Sequence, residues 1–329
     1  MEDTYLGFPF DADIFNYYWA QEPDLVRDAL LTSGAMVEDP AIAALVNNGS
    51  DTYTAPFYKT LAGEPANYDG QTDIPVVGTE GGSTSGVVFG RTQAWSEAQF
   101  VRDFNSGANP MQVIASQVAP FWNHRRQATT LGIIGAVMQV AEMKSHVIDA
   151  AAPVDETTLG DAAVDALGDN AQAITLAFMH SKVANQLAQK QLVEYAKYTD
   201  PEGIERQIRN VAYVNGMLTI IDDSAPTTAA SGETKATYTT YLLGAGTIRH
   251  ATAKCEVPAE VTRDPKTNGG QNTLWTRTRE TIHPNGFSFA KPNTGYNASP
   301  TDAQLFAKAN WSLAFDPKSI ALVAVTTQA

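Results

Sequence analysis

The chain has 329 residues, of which 43% are apolar and 18% charged, and it carries a formal net charge of -14. That composition describes a globular protein with a sizeable core, in two lobes or one elaborated fold, and excludes a disordered or fibrous chain. The acidity excludes tight nucleic-acid binding through neutralised phosphates, and the single cysteine, Cys255, excludes an intrachain disulfide and a zinc-ribbon half-site.

The opening MEDTYLGFPF lacks the basic and apolar regions of a secretory signal. Residues 1–50 oppose nine carboxylates to Arg27 alone, and they crowd Phe8, Phe10, Phe15, Tyr17, Tyr18 and Trp19 together with little periodicity. Such a pattern fits either an extended arm that docks on another surface or a segment packed on its own core. Pro23 and Gly34 bracket one short helix, and Asp39-Pro40 opens a second that Asn48-Gly49 closes.

From Asp51 to Thr92 the chain is rich in Gly, Thr, Pro and Asp, with β-prone pieces at Tyr53–Leu61 and Ile74–Val77. Asp69-Gly70 signals a hairpin turn, so this is a two-stranded excursion too poor in apolar residues to support itself. Ser96 with Gln99 reads as a capping box for a helix over SEAQFVRDF. Asn109-Pro110 then starts the strongest helical pattern, from 110 to about 142, roughly 50 Å at 1.5 Å per residue. Pro120 should bend it, and His124, Arg125 and Arg126 form a basic patch near its middle. Its most apolar stretch, LGIIGAVMQVA, is too short to span a bilayer, so no membrane partner is expected.

A small-residue helix should end at Leu167-Gly168-Asp169, and a longer one should carry Met179-His180-Ser181 in its middle, broken by Asp200-Pro201. Val211–Val214 and Met217–Ile221 flank Asn215-Gly216 as a tight hairpin. Ser224 to Tyr238 reads as an exposed loop, and strands follow at Tyr238–Leu243, Thr247–Lys254, Thr273–Ile282 and Ile320–Thr326. In LWTRTRETI, alternation puts Trp275, Arg277 and Arg279 on one face.

The five histidines show no metal-protease spacing, and each reads better as a packed or surface residue than as a ligand. Asp222-Asp223 ends a strand-like run, where carboxylates can serve catalysis, but a polar strand terminus is the simpler reading. Gly244 and Gly246 lack the third glycine and following helix of a dinucleotide turn. With no phosphate loop, serine elbow or cysteine motif, no catalytic residue, cofactor or metal is expected.

The paired segments LGDAAVDALGDNAQAITLAFMHSKVANQL, then TIIDD, YTTYLLGAGTI, Pro258–Glu260, Arg263-Asp264 and His283-Pro284-Asn285-Gly286-Phe287 stand together in this order. Seen so, the chain resembles the major capsid proteins of tailed phages, with the Hong Kong 97-type fold. The resemblance implies an α+β subunit: an N-terminal arm and short helices (1–50), an extended loop (51–92), a peripheral domain with the spine helix (93–148 and 236–300), and an axial domain (149–235 and 301–329). It implies self-assembly into hexamers and pentamers of an icosahedral shell, in a virion assembled in the host cytoplasm. The implied partners are separate scaffolding and portal proteins, decoration proteins, and packaged DNA touched weakly on the inner face.

The intersubunit candidates on this reading are Phe8, Phe10, Tyr17, Tyr18, Trp19, Phe57, Tyr58, Lys59, Trp275, Arg277 and Arg279. Lys59 lies where some relatives join neighbours by an isopeptide bond, but no motif for such a bond surrounds it here. An initiator Met1 and no long charged helical extension favour scaffolding by another protein. The alternatives are an encapsulin shell, a soluble α/β enzyme, and a tail or decoration protein.

Overall fold

The computed structural model describes residues 4–5, 8–9, 29–47, 51–61, 63–68, 71, 73–74, 76–98, 110–199, 205–229, 235–290 and 299–328. Phe8 pairs through its backbone with Tyr5, and Phe10, Tyr17, Tyr18 and Trp19 lie outside the described residues, as do Asp69-Gly70 and Asn48-Gly49.

In chain order the main elements are α1 (Ala29–Thr32), β1 (Met36–Glu38), α2 (Pro40–Val46), β2 (Thr52–Tyr58), β3 (Gly81–Val87), β4 (Phe89–Ala98), α3 (Pro110–Val137) and β5 (Val147–Pro153). Next come α4 (Thr158–Leu167), β6 (Ile174–Met179), α5 (Ser181–Gln189), β7 (Glu194–Thr199), β8 (Glu205–Val214), β9 (Met217–Ile221) and β10 (Thr237–Gly244). The chain finishes with β11 (Ile248–Thr252), β12 (Ala259–Asp264), β13 (Gln271–Pro284), β14 (Phe287–Phe289), α6 (Asp302–Leu305), β15 (Trp311–Leu313) and β16 (Leu322–Gln328).

Two sheets organise these elements. The larger runs β5-β16-β10-β6-β9-β8-β7, with Thr227–Thr228 pairing β10 off that path. Its central strands are apolar at consecutive positions because both faces are covered. In β10, Tyr241 and Leu243 join a core with the C-terminal half of α3, through Ile133, Ile134 and Val137. Leu242 between them joins a second core with α4 and α5, through Leu159, Ala163, Val183 and Leu187. Each buried Leu, Ile or Val among them contributes roughly 1.5–3 kcal/mol of transfer free energy. The smaller sheet runs β12-β13-β11-β1, and β4 lies along the other side of β13. The strand β10 hydrogen-bonds between β16 and β6 of the larger sheet.

Several local signals hold. Asp39 caps α2, its Oδ1 accepting from the N–H groups of Ala41 and Ile42. Gly34, at φ +84°, ends α1. Asn215 and Gly216 take φ values of 51° and 78° in the tight turn that joins β8 to β9.

Four expectations are corrected. Ser96 does not open a helix: it sits in β4 opposite Thr273, where ten consecutive ladder pairs outweigh a local cap signal. The strand that pairs with Tyr53–Leu61 is not Ile74–Val77 but Gly81–Val87, in spite of its glycines. The spine helix stops at Val137, about 42 Å from its start at 1.5 Å per residue. Beyond it, Gln139 and Val140 donate to carbonyls three residues back, and the chain tightens into a 3-10 turn at Ala141–His146. Finally, Met179-His180-Ser181 is not mid-helix: Met179 ends β6, and His180 is the N-cap of α5.

Candidate assembly surfaces

The ribbon is built on alternation. Tyr53 and Phe57 point inward from β2, while Thr54, Pro56 and Tyr58 point out. Tyr53 is buried with its hydroxyl 3.2 Å from Thr281 Oγ1, and burial pushes that phenol up to about 12. Phe57 meets Phe315 edge-on at 4.7 Å and lies over Gly82, where a Cβ would come within 2.4 Å of the ring. Phe57 is therefore packed inside its own chain. Tyr58 is 88% exposed, and beyond it Leu61, Tyr68, Ile74 and Val76 (92%) are equally uncovered. Lys59 pairs with Glu80 across the ribbon at 3.0 Å.

The second surface is the outward side of β13. Leu274 and Thr276 are buried toward the spine helix, where Trp122 Nε1 donates to Thr276 Oγ1 at 3.3 Å. The residues between them face out as the alternation predicts. Trp275 is 44% exposed and donates to Thr262 Oγ1 at 2.8 Å. Arg277 pairs with Glu260 at 3.4 Å, and Arg279 donates to the Lys254 carbonyl.

The basic patch of the spine helix turns out to be a joint. Arg126 Nε donates to Glu280 Oε2 at 2.6 Å, and His250 Nε2 lies 3.0 Å from the same oxygen. Arg125 shares Asp302 with Arg91 of β4, at 2.9 and 2.7 Å. One turn of helix thus ties the smaller sheet to the C-terminal segment. Burial raises the Glu280 carboxyl, but the hydrogen bond from His250 and the Arg126 charge outweigh it, leaving the group below its ordinary value. The two arginines were visible in the sequence. Their partners, 154 and 177 residues away, were not, because nothing local marks Glu280 or Asp302 as the recipients.

The residues weighed for chemistry have structural work. Asp222 accepts from Gln127 Nε2 at 2.7 Å and from the Ser224 N–H, while Gln127 Oε1 accepts from the Leu30 N–H, so one buried network links α1, α3 and the end of β9. Asp223 accepts from the Ser181 N–H at the start of α5. Around His180, Nδ1 accepts from the Lys182 N–H at 3.1 Å, and Ser181 Oγ and Asp223 approach that same nitrogen. A catalytic relay needs its acid and its nucleophile on opposite ring nitrogens, so this is a helix cap. Gly244 is required by close approach, since a Cβ there would fall 2.6 Å from Ala321 Cβ and 2.8 Å from the Ala173 carbonyl. Among the described residues no cluster of His, Cys, Asp or Glu could hold a metal ion, and no helix is long and apolar enough to cross a membrane.

The fold as a whole matches solved phage shells. The structure matches the capsid of Ralstonia phage GP4 with a TM-score of 0.60 at 10% identity, covering 94% of this chain and 93% of that one. It matches the capsid of cyanophage Pam1 at 0.58 with 11% identity, covering 94% of each chain. The fold is that of tailed-phage capsids, the Hong Kong 97 type. The sequence pattern of the Gp13-like family, major capsid protein 13-like, matches residues 51–324. The chain belongs to that family. Consistent with membership, it is 30% identical over 300 residues to the major capsid protein of Bacillus phage SPP1, covering 90% of this chain and 89% of that protein. As a member of the Gp13-like family it is a major capsid protein of a tailed phage, a structural protein of the virion shell that assembles with copies of itself.

Proposed function

We propose that this Gp13-like capsid protein forms the hexamers and pentamers of an icosahedral head, acts without catalysis, and closes its shell by covering its ribbon with a neighbour. One observation carries this reading. A run of large apolar residues, from Tyr58 to Val77, stands exposed on a two-stranded ribbon that has no core of its own. Only association removes that surface from water.

In this scheme the smaller sheet, with the spine helix, is the peripheral unit, and the larger sheet, with α4 and α5, is the axial unit around the five- and six-fold axes. The boundary between them lies after Gly244, and the ribbon begins at Asp51 and ends at Val87. The aromatic segment of residues 1–50 serves as an arm to a neighbour. Separate scaffolding and portal proteins and, where present, decoration proteins complete the head, and the net charge of -14 keeps packaged DNA from adhering to the inner wall.

Sedimentation and negative-stain electron microscopy of the chain expressed alone test this. Closed shells or ring-shaped capsomers are expected. A compact monomer that survives concentration and a molecular crowder would overturn it.

A further inference from the structure

The root of the ribbon is held by a small core of its own. Tyr53 and Val88 are buried there with Ile42 and Val46 of α2 and with Ala251 of β11. His283 lies beside this core, at the end of β13, and is 5% exposed. Its ring meets Tyr53 edge-on, with centroids 6.1 Å apart, and Trp311 of β15 at 6.3 Å. Beyond it the chain turns at Gly286 into β14, where Ser288 Oγ accepts from the Ser85 N–H of the ribbon at 3.3 Å. The imidazole therefore stands where the ribbon, β13 and the β14–β15 pair converge.

The groups that face this histidine make an added proton unfavourable. Arg249 stands opposite His283 in the β11–β13 ladder, and residues so paired share a face. Its guanidinium is held at 2.8 Å by Asp39, whose other carboxylate oxygen caps α2. Both charges also act on the Tyr53 phenol, which lies against Thr281. A backbone hydrogen bond at Phe287 of β14 favours the proton, and Trp311 brings no charge. Glu280 and His250 are engaged with each other and with Arg126 on the opposite face of β13. One carboxylate, already engaged twice, would thus have to balance both Arg249 and a charged His283. Burial, aided by Arg249, outweighs the Phe287 bond and pushes the imidazole down to about 4.

We infer that His283 is a proton-operated clasp within the chain: a proton on its ring frees Tyr53, and with it the ribbon root, from β13 and β14 while both sheets stay folded. The inference goes beyond the assembly reading and does not rest on it, because the clasp closes on its own chain. Opening takes up one proton, since a solvated imidazole titrates near 6.5 and the closed one near 4. The closed root is therefore favoured above 6.5 and loses ground as pH falls. From pH 7 to 4 the open form gains on the order of a hundredfold.

Because Cys255 is the sole cysteine, engineered thiols report without interference in a Cys255→Ser background. Val88→Cys places a thiol in the root core, and Val325→Cys places one under α4 and α5 in the larger sheet. Each full-length chain is labelled with dithiodipyridine from pH 7 to 4, and its rate is divided by that of the same chain unfolded in urea at the same pH. The Val88→Cys ratio should rise on the order of a hundredfold, while Val325→Cys stays protected. Adding His283→Gln should abolish the rise, and adding His250→Gln should leave it. A flat Val88→Cys ratio, or exposure of both thiols together, would overturn the clasp, and these two outcomes are read with His283 intact. A rise that survives His283→Gln, or one lost with His250→Gln, would overturn it as well by assigning the response to another group.

Discussion

Arg126 and Glu280 lie 2.6 Å apart, and the glutamate, nearly buried, also takes His250 on the same oxygen. The pair bolts the middle of the spine helix to the long strand of the smaller sheet. Breaking a buried pair leaves a charge without compensation, so Arg126→Met should cost about 2–4 kcal/mol, less than a fully buried pair because a quarter of the arginine is solvated. Glu280 is held below its ordinary pKa in the folded chain, so its contribution is present above the unfolded value of roughly 4.3 and is lost as pH falls through the folded one. Denaturant melts from pH 7 to 3 should show this loss in the native protein and a smaller slope in Glu280→Gln.

His283 supplies a second acid response at a higher pH. Burial, aided by the charge of Arg249, pushes its imidazole down to about 4. The unfolded chain binds that proton near 6.5, so stability is whole above that value and falls as pH drops toward 4. His283→Gln should flatten the pH dependence of the melting temperature between those limits, whatever it does to the plateau. An unchanged slope would show that His283 does not govern it.

Gly132 and Gly135 sit one turn apart on the spine helix in opposite situations. A Cβ at Gly132 would fall 2.3 Å from the Phe306 ring, while at Gly135 the nearest atom is the Tyr241 hydroxyl at 3.8 Å. Gly135→Ala should therefore stabilise by about 0.5–1 kcal/mol through helix propensity. Gly132→Ala should lose that gain and about 1–2 kcal/mol more to overpacking, and Phe306→Ala in the same chain should return most of it. Calorimetry of the three variants would check both signs.

His180 caps α5, so His180→Ala should cost about 1 kcal/mol, and His180→Asn, which can still accept from the Lys182 N–H, should cost less. Were the histidine an ordinary mid-helix residue, the alanine would be neutral or stabilising.

Much of the fold was legible one segment at a time. The spine helix, the Asn215-Gly216 hairpin, the cap at Asp39 and the alternation through Trp275 are set by neighbours in sequence, and the order of motifs sufficed to place the chain among phage capsids. Three of the misreadings have a common cause. Ser96 resembles a cap, Gly81–Gly86 resembles a loop and Met179-His180-Ser181 resembles helix, until a partner strand supplies ladder bonds that outweigh those local preferences.

By itself the sequence determined the acidity of the chain, its helical spine and its self-insufficient ribbon, because composition and periodicity are local properties, and the order of its motifs carried the resemblance to phage capsid proteins. The tertiary structure alone decided that Arg126 and Arg125 reach Glu280 and Asp302, that Phe57 turns inward while Tyr58 turns out, and that Arg279 lacks an acid among the described residues. Those facts depend on which distant residues pack together, and a side chain's partner 154 or 177 residues away is chosen by the whole fold.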